Sequence, residues 1–403
     1  MIYFLLFIYL FYLVVKYDVL GGNKYKWHHF HVVLVLLILV SGFRYRLGTD
    51  THAYMNDFVR YPDLFHLTLD DFSDFRYQPF WILLNCVGKT LGSFVFVQII
   101  ISWIHIGLLG KVLRRLCPSL VFSSLFFYFL FDYMVFNMEV MRECVSISFF
   151  LMALLALDQG KSKLVCIYVV LAFMFHVYSL LVFVLFLCFK KILTKSPLLT
   201  YIVICSVVVV CVIDKNFIIR LILDYVVGTD TLYTESAITY ATSDTYGETH
   251  YNWKGVLSIF LQAGIYVGML FATRKSYSSH VRFNRNTFET LIFFAVTLII
   301  MRYSLQIIDR MYNYFHVFTF LTMALFIKQA SLKMKGGQQQ MCTFFLLIFI
   351  PILFATRMYV REDSLVESLQ FYSRYYPYSS VFDKTEDPKR EKIFRSKDVM
   401  SLK

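Results

Sequence analysis

An all-α, polytopic integral membrane protein is predicted by three features of this chain: its apolar content, the length of its uncharged runs and the placement of its basic residues. Of 403 residues, 58% are hydrophobic and 19% aromatic, and the mean hydropathy is +0.61. A soluble domain of this size cannot bury that much apolar surface, so lipid must cover it. Runs such as Phe30 to Phe43, Phe94 to Leu109, Ser119 to Phe136 and Phe288 to Met301 carry almost no charge. A helix crossing a ~30 Å hydrocarbon core needs about 20 such residues. Continuous runs rather than alternation exclude a transmembrane β-barrel. The runs add up to about 11–12 crossings on this length criterion.

The individual elements follow in order. Met1 to Val15 lacks a basic stretch before it and an Ala-x-Ala-like cleavage site after it, so it reads as the first helix and not as a signal peptide. Pro79 to Leu91 is amphipathic and too short to span, which predicts an interfacial or re-entrant segment before the helix from Phe94 to Leu113. Leu164 to Phe189 is expected to be two short helices broken near His176 and Tyr178. Without that break every later loop changes side. With it, the expected cytoplasmic loops 16–28, 111–118, 158–163, 190–197, 274–286 and 328–341 hold 18 Lys and Arg. The two long opposite-side loops, 44–78 and 214–253, hold 4 and 2 basic residues against 6 acidic residues each. This asymmetry is the positive-inside rule, and it puts both termini outside the cytoplasm. The net charge of +12 is thus a topology signal and not a nucleic-acid surface. One membrane domain, 1–357, and a polar external tail, 358–403, are expected.

The eight cysteines lie in or beside apolar runs with no CxxC or His-Cys cluster, so they read as buried small hydrophobes, and neither a disulfide framework, a metal site nor any other cofactor is implied.

Charged residues at membrane depth are functional candidates. The first external loop opens with Arg44-Tyr45-Arg46-Leu47-Gly48-Thr49-Asp50-Thr51 and continues to Tyr54. Guanidinium groups pair bidentately with phosphate, and Asp50 can accept a proton or orient an arginine; snorkelling at a helix end is the plainer account of Arg44 and Arg46. Glu139, Arg142, Glu143 and Ser146 share one helical face in this reading, either as a structural ion pair or as part of a site. His176 lies at the expected helix break, suited to proton transfer or to simple packing among aromatics. Arg302, Gln306 and Arg310 recur every four residues beside Asp309, Asn313 and Tyr314. Tyr251-Asn252-Trp253 and Tyr375-Tyr376-Pro377-Tyr378 offer rings for sugar faces or for interfacial anchoring.

Arg44-x-Arg46-x-Gly48-Thr49-Asp50-Thr51-x-x-Tyr54, Glu139-x-x-Arg142, Phe175-His176-x-x-Ser179, Asp309-Arg310 and Tyr376-Pro377-Tyr378, in this order between about residue 40 and 380, resemble the EpsG family of bacterial exopolysaccharide proteins, which is similar to the Wzy repeat-unit polymerases. Two departures stand out. Family members often have a glutamate where this chain has Gln78, and Arg-Gln where it has Arg142-Glu143.

The resemblance implies an inner-membrane glycosyltransferase that joins undecaprenyl-diphosphate-linked oligosaccharides on the periplasmic side, working beside a chain-length regulator and a flippase of the same pathway. It makes Asp50, Glu139, His176 and Arg142 the catalytic candidates. Arg44, Arg46, Thr49, Tyr54, Glu143, Arg302, Arg310 and Tyr314 are the candidates for substrate binding. A flippase or transporter of lipid-linked saccharide would need similar arginines, but transporters often repeat internally, and this chain shows no repeat. A ligase-like transferase would share the donor chemistry and differ in acceptor.

Overall fold

The computed structural model describes residues 1–74, 77–195, 253–274, 277–302, 308–332 and 337–401, together with Ser206. The expected loop 214–253, except Trp253, and Gln306 lie outside the described residues. Every regular element among the described residues is helical, and the only β-type pairings are two isolated bridges, Arg44 with Ser380 and Glu362 with Gln370. The chain divides into two units, Met1–Val177 with His280–Arg282 and Ile327–Lys403, and Tyr178–Ser279 with Phe283–Phe326.

In the first unit, α1 (Ile2–Leu13) runs into a π-helical turn, Val14–Val19. Phe7 and Phe11 of α1 pack on Phe126 of α7 (Val121–Phe131), with ring centroids 5.5 and 6.0 Å apart. At the end of the π turn, buried Asp18 accepts hydrogen bonds from the Ser123 amide (2.6 Å) and hydroxyl (2.9 Å) and faces Lys26 at 3.7 Å. Helix α2 (Lys26–Gly42) lies against α6 (Phe94–Leu116). A Cβ on Gly42 would stand 3.2 Å from the Ile99 backbone, and one on Gly110 would stand 2.5 Å from Leu34 Cδ1, so these glycines allow the two helices to approach closely. Helix α6 is capped by the Ser93 side chain, which accepts from the Val95 amide, and its last turn carries Arg114 and Arg115, where the helix dipole favours cations.

The run Ser119 to Phe136 is not one helix: Asp132 separates α7 from α8 (Tyr133–Met138). A buried polar chain holds this break. Asn137 donates to Tyr128 OH and to the Tyr133 carbonyl, both at 2.8 Å, and His105 bridges Tyr128 (2.8 Å) to Ser148 (2.6 Å) of α9 (Met141–Asp158). An unpaired polar group at this depth costs several kcal/mol, on the order of 2–7, so the connected chain is what makes the break tolerable.

Helix α9 turns through Gly160 into α10 (Ser162–Phe173), making a helical hairpin. The expected break is present: α10 ends at Phe173 and α11 (Tyr178–Lys195) begins five residues later. Helix α5 (Pro79–Thr90) has 12 residues, about 18 Å at 1.5 Å per residue, too short for a crossing. Its Phe80 amide, an orphan donor of the first turn, is satisfied by the Met174 carbonyl at 3.1 Å.

The second unit contains α11, α12 (Trp253–Thr273), α13 (Tyr277–His280, whose last residue is in the first unit), α14 (Arg285–Met301), α15 (Ile308–Asn313) and the start of α16 (His316–Leu332). Phe186, Phe189 and Phe315 gather on Phe294, with centroids 5.2 to 6.1 Å apart. Asn284 caps α14 by accepting from the Thr287 amide at 3.1 Å.

Ile2–Val19, Phe94–Leu116 and Gly255–Thr273 are long and apolar enough to cross a membrane, and several shorter apolar helices accompany them. Leu257, Leu261 and Ile265 of α12 recur every four residues at 42–55% exposure, a stripe that only lipid would favour. The protein is a multi-pass α-helical membrane protein. Cys86, Cys117 and Cys144 are buried, as the sequence suggests, whereas Cys166 and Cys188 are exposed on the apolar helices α10 and α11, where a lipid face accepts them as small hydrophobes.

The segment after α17 (Gly337–Val360) returns to the stretch between α2 and α3 (Thr49–Phe58). Tyr45 donates its amide to the Ser379 carbonyl and Val381 to the Phe43 carbonyl, both at 2.9 Å. A final helix, α18 (Pro388–Ser401), lies beside α3.

Gly48, just before α3, has φ +88°, and a Cβ there would sit 2.2 Å from the Met138 carbonyl oxygen. Gly48→Ala should therefore lower stability by at least about 3 kcal/mol, whereas Gly107→Ala in α6, with nothing within 4 Å, should be neutral or mildly stabilising. Thermal unfolding of the two variants in detergent checks this; equal midpoints would refute the close approach.

Candidate functional site

The Gly48-Thr49-Asp50-Thr51 motif is the start of helix α3 and not part of an extended loop. Each of its residues has a separate task. Gly48 permits contact with the Met138 carbonyl, and Thr51 donates to that same carbonyl at 2.5 Å. The Thr49 hydroxyl donates to Glu139 Oε2 at 2.7 Å, and the Asp50 amide donates to the same oxygen at 2.9 Å. A carboxylate thus satisfies free donors at a helix N-terminus, where the dipole also favours negative charge.

Glu139 precedes α9: Val140 is non-helical and α9 begins at Met141. The expected single polar face of Glu139, Arg142, Glu143 and Ser146 is therefore broken at its first member, which turns toward α3 instead. Glu139 Oε1 accepts from Tyr375 OH at 3.2 Å and stands 3.5 Å from Arg374. Arg374 grips Asp363 in a two-pronged pair at 2.5 and 3.0 Å and reaches Thr49 at 3.3 Å. Burial alone would lower the Arg374 pKa, but Asp363 and Glu139 outweigh it and hold the guanidinium well above its ordinary value.

The two arginines of the first loop are committed within the protein. Arg44 is 1% exposed and donates to the Ser41 carbonyl, to Thr51 (3.3 Å) and to Met141 sulfur (3.1 Å). Arg46 pairs with Glu386 (3.2 Å) and Glu391 (2.8 Å). In the same strip His52 stacks on Phe394 at 4.6 Å and meets Asp398 at 3.1 Å, and Asp50 forms an ion pair with Lys397.

Arg142 sits half-buried in the first turn of α9. It donates to Tyr54 OH and to the Gln78 side-chain oxygen, each at 3.2 Å, and its guanidinium carbon lies 4.3 Å from the Tyr77 ring centroid. Tyr77 in turn donates to Asp57 at 2.8 Å, and Tyr54 packs on Trp81 at 4.7 Å. Burial and the Asp57 hydrogen bond keep the Tyr77 phenol protonated. The result is a planar fork braced by polar and aromatic side chains, a geometry suited to phosphate or carboxylate oxygens.

Glu143, also in the first turn of α9, is buried. His176 is buried in the α10–α11 break, and its amide donates to the Ala172 carbonyl at 3.0 Å, which also accepts from Ser146 at 2.8 Å. Because Phe80 is tied to Met174 and Phe175 packs on Phe80 at 5.7 Å, the break adjoins the start of α5, the segment that carries Gln78.

Arg302, Arg310 and Tyr314 belong to the second unit. There Arg302 donates to Gln262 (2.6 Å) and pairs with Asp309 (3.2 Å), Arg310 is half-buried, and Tyr314 is fully buried. The structure thus assembles Thr49, Asp50, Tyr54, Glu139 and Arg142 in the first unit.

Sequence reading passed over Arg374, Asp363, Tyr77, Trp81 and Lys397. The aromatic-rich stretch Phe371-Tyr372-Ser373-Arg374-Tyr375 was a legible signal for the first, since such a segment is ill suited to be a solvated tail. Nothing distinguishes Lys397 from Lys389 or Lys392 in the sequence.

The sequence model of the EpsG family matches residues 27–380, which include this arrangement except Glu386 and the residues of α18. No curated protein and no solved structure matches the chain. With a match over most of its length, the chain belongs to the EpsG family, a Wzy-like family of exopolysaccharide polymerases.

Proposed function

We propose that this protein is a repeat-unit polymerase of exopolysaccharide synthesis, a glycosyltransferase that joins undecaprenyl-diphosphate-linked oligosaccharides on the periplasmic side of the bacterial inner membrane. Family membership supports the reaction class. The observation that carries the residue assignment is Arg142, a half-buried guanidinium braced by Tyr54, Gln78 and Tyr77 in the unit that also holds Asp50.

In the proposed step the donor is the growing chain on its lipid diphosphate and the acceptor is a hydroxyl of a second lipid-linked repeat. The acceptor oxygen forms a bond to the anomeric carbon as the bond from that carbon to the diphosphate oxygen breaks. Undecaprenyl diphosphate leaves with the electron pair, and the hydroxyl proton passes to Asp50. Arg142 stabilises the charge that develops on the leaving diphosphate, and Asp50 is the general base.

Asp50 is favoured over Glu139 because Glu139 already accepts from Thr49, the Asp50 amide and Tyr375 and faces Arg374. It is favoured over His176 because the Asp50 side chain is 31% exposed and His176 is buried. Arg44 and Arg46, engaged internally, act here as supports of α3 and α18. Arg302, Arg310 and Tyr314 belong to the second unit and are given no part in this step.

Deleting the gene and analysing lipid-linked glycans tests the reaction. Single repeats accumulating on the periplasmic face support a polymerase; accumulation on the cytoplasmic face points to a flippase. For sidedness, reporter tags at 50–75 and in the tail should report the periplasm and tags at 276–284 and 333–339 the cytoplasm. A periplasmic signal at 280 would overturn the proposed topology.

Arg142→Ala should abolish polymer at near-normal protein abundance, and Arg142→Lys should rescue poorly because an ammonium is a point charge and not a fork. Full-length polymer from Arg142→Ala would reduce the residue to a structural role. Asp50→Asn should keep binding of lipid-linked repeats yet lose turnover by about 100-fold or more, the usual worth of a general base. A near-wild-type rate for purified Asp50→Asn would move the assignment to Glu139 or His176.

A further inference from the structure

The family match ends at residue 380, and the strip of chain that covers the Asp50 side of α3 begins just after it. This strip is fastened at four places. Arg46 holds Glu386 and Glu391, His52 stacks on Phe394 and meets Asp398, buried Arg390 donates to the Pro377 and Arg46 carbonyls, and Lys397 pairs with Asp50. The first three contacts fasten the strip to Arg46, to Pro377 and to His52 of α3, and the fourth is made at the carboxylate assigned above as the base.

The pairing is one-sided. Lys397 takes Oδ1 of Asp50, and no described residue donates a hydrogen bond to Oδ2. The Asp50 amide is anchored to Glu139 Oε2, so both the backbone and one carboxylate oxygen are held while the other oxygen stays open at a side chain that is 31% exposed. This is how a base is usually oriented: a partner fixes one atom and leaves the second for the substrate proton. The charged groups around Asp50 are Lys397 of α18, Glu139 from the α8–α9 junction and, behind Glu139, Arg374. Burial would lower the Lys397 pKa, but Asp50 and then Glu139 raise it above its ordinary value, so the ammonium is retained.

We propose that Lys397, supplied by a helix outside the family match, is a positioning residue of the active site that orients the Asp50 carboxylate. The proposal rests on the polymerase reading above. Removing the ammonium leaves two carboxylates close together with only one matched by Arg374. Without its Oδ1 partner the Asp50 side chain can turn away from the acceptor hydroxyl, so turnover falls while substrate binding is kept.

The test uses the full chain in nanodiscs, with lipid-linked repeat units isolated from cells lacking the gene as substrate. In Lys397→Met, kcat should fall about tenfold or more near neutral pH with little change in KM. Lys397→Arg should restore most of the lost kcat. Lys397→Gln serves as the second neutral variant if the Met variant is poorly folded. A kcat that stays near wild type in both neutral variants, or that falls only in step with thermal stability, would overturn the proposal and leave α18 a structural fastening. A wild-type protein that lengthens no chains at any pH would remove the polymerase reading, and this proposal with it.

Discussion

One buried carboxylate, that of Glu139, holds three parts of the first unit together. Its two oxygens serve three parts of the chain: the first turn of α3 through Thr49 and the Asp50 amide, the aromatic return segment through Tyr375 and Arg374, and the α8–α9 junction that carries Glu139 itself. A carboxylate buried to this degree is tolerable only when cations and hydrogen bonds replace water, and losing a single partner of such a set costs roughly 3–5 kcal/mol. The constraint therefore fixes several elements at once. It requires Gly48 at close range to Met138, because any side chain there would push α3 away from its carboxylate.

Dividing labour between two neighbouring carboxylates has a chemical consequence. Glu139 accepts from Thr49, the Asp50 amide and Tyr375 and faces Arg374, whereas Asp50, one helical position from the capped end, keeps an exposed edge. Arg142 shows a similar division from the cationic side. Arg44 is spent on Ser41, Thr51 and Met141, and Arg46 on the last helix, while Arg142 is braced by a phenol, an amide and an aromatic ring in a half-buried position. A bound lipid diphosphate would meet a fork whose orientation is already set, which lowers the ordering cost of binding.

The polar chain running from Ser148 through His105 and Tyr128 to Asn137 explains why α7 and α8 can be broken inside an apolar run. That break brings the Met138 carbonyl and Glu139 to α3. Packing deep in the helices and chemistry at their ends are thus linked through a few hydrogen bonds, and the glycines at 42 and 110 allow α2 and α6 to approach closely within the same unit.

Composition and hydropathy by themselves determined the class of this protein, because uncharged runs about 20 residues long have no favourable place other than lipid. The sidedness of the basic loops marked the α10–α11 break, and the clustered Gly48-Thr49-Asp50-Thr51 was marked as a candidate site but read as loop, where the folded chain starts a helix. Tertiary structure decided the partners. Glu139 lies three residues from Arg142 in sequence, yet its closest cation comes from Arg374, and Asp50 is met by Lys397, 347 residues away. Side chains choose partners by distance and desolvation in the folded chain, and neither is encoded in spacing along the sequence once the helix between them is broken at Val140.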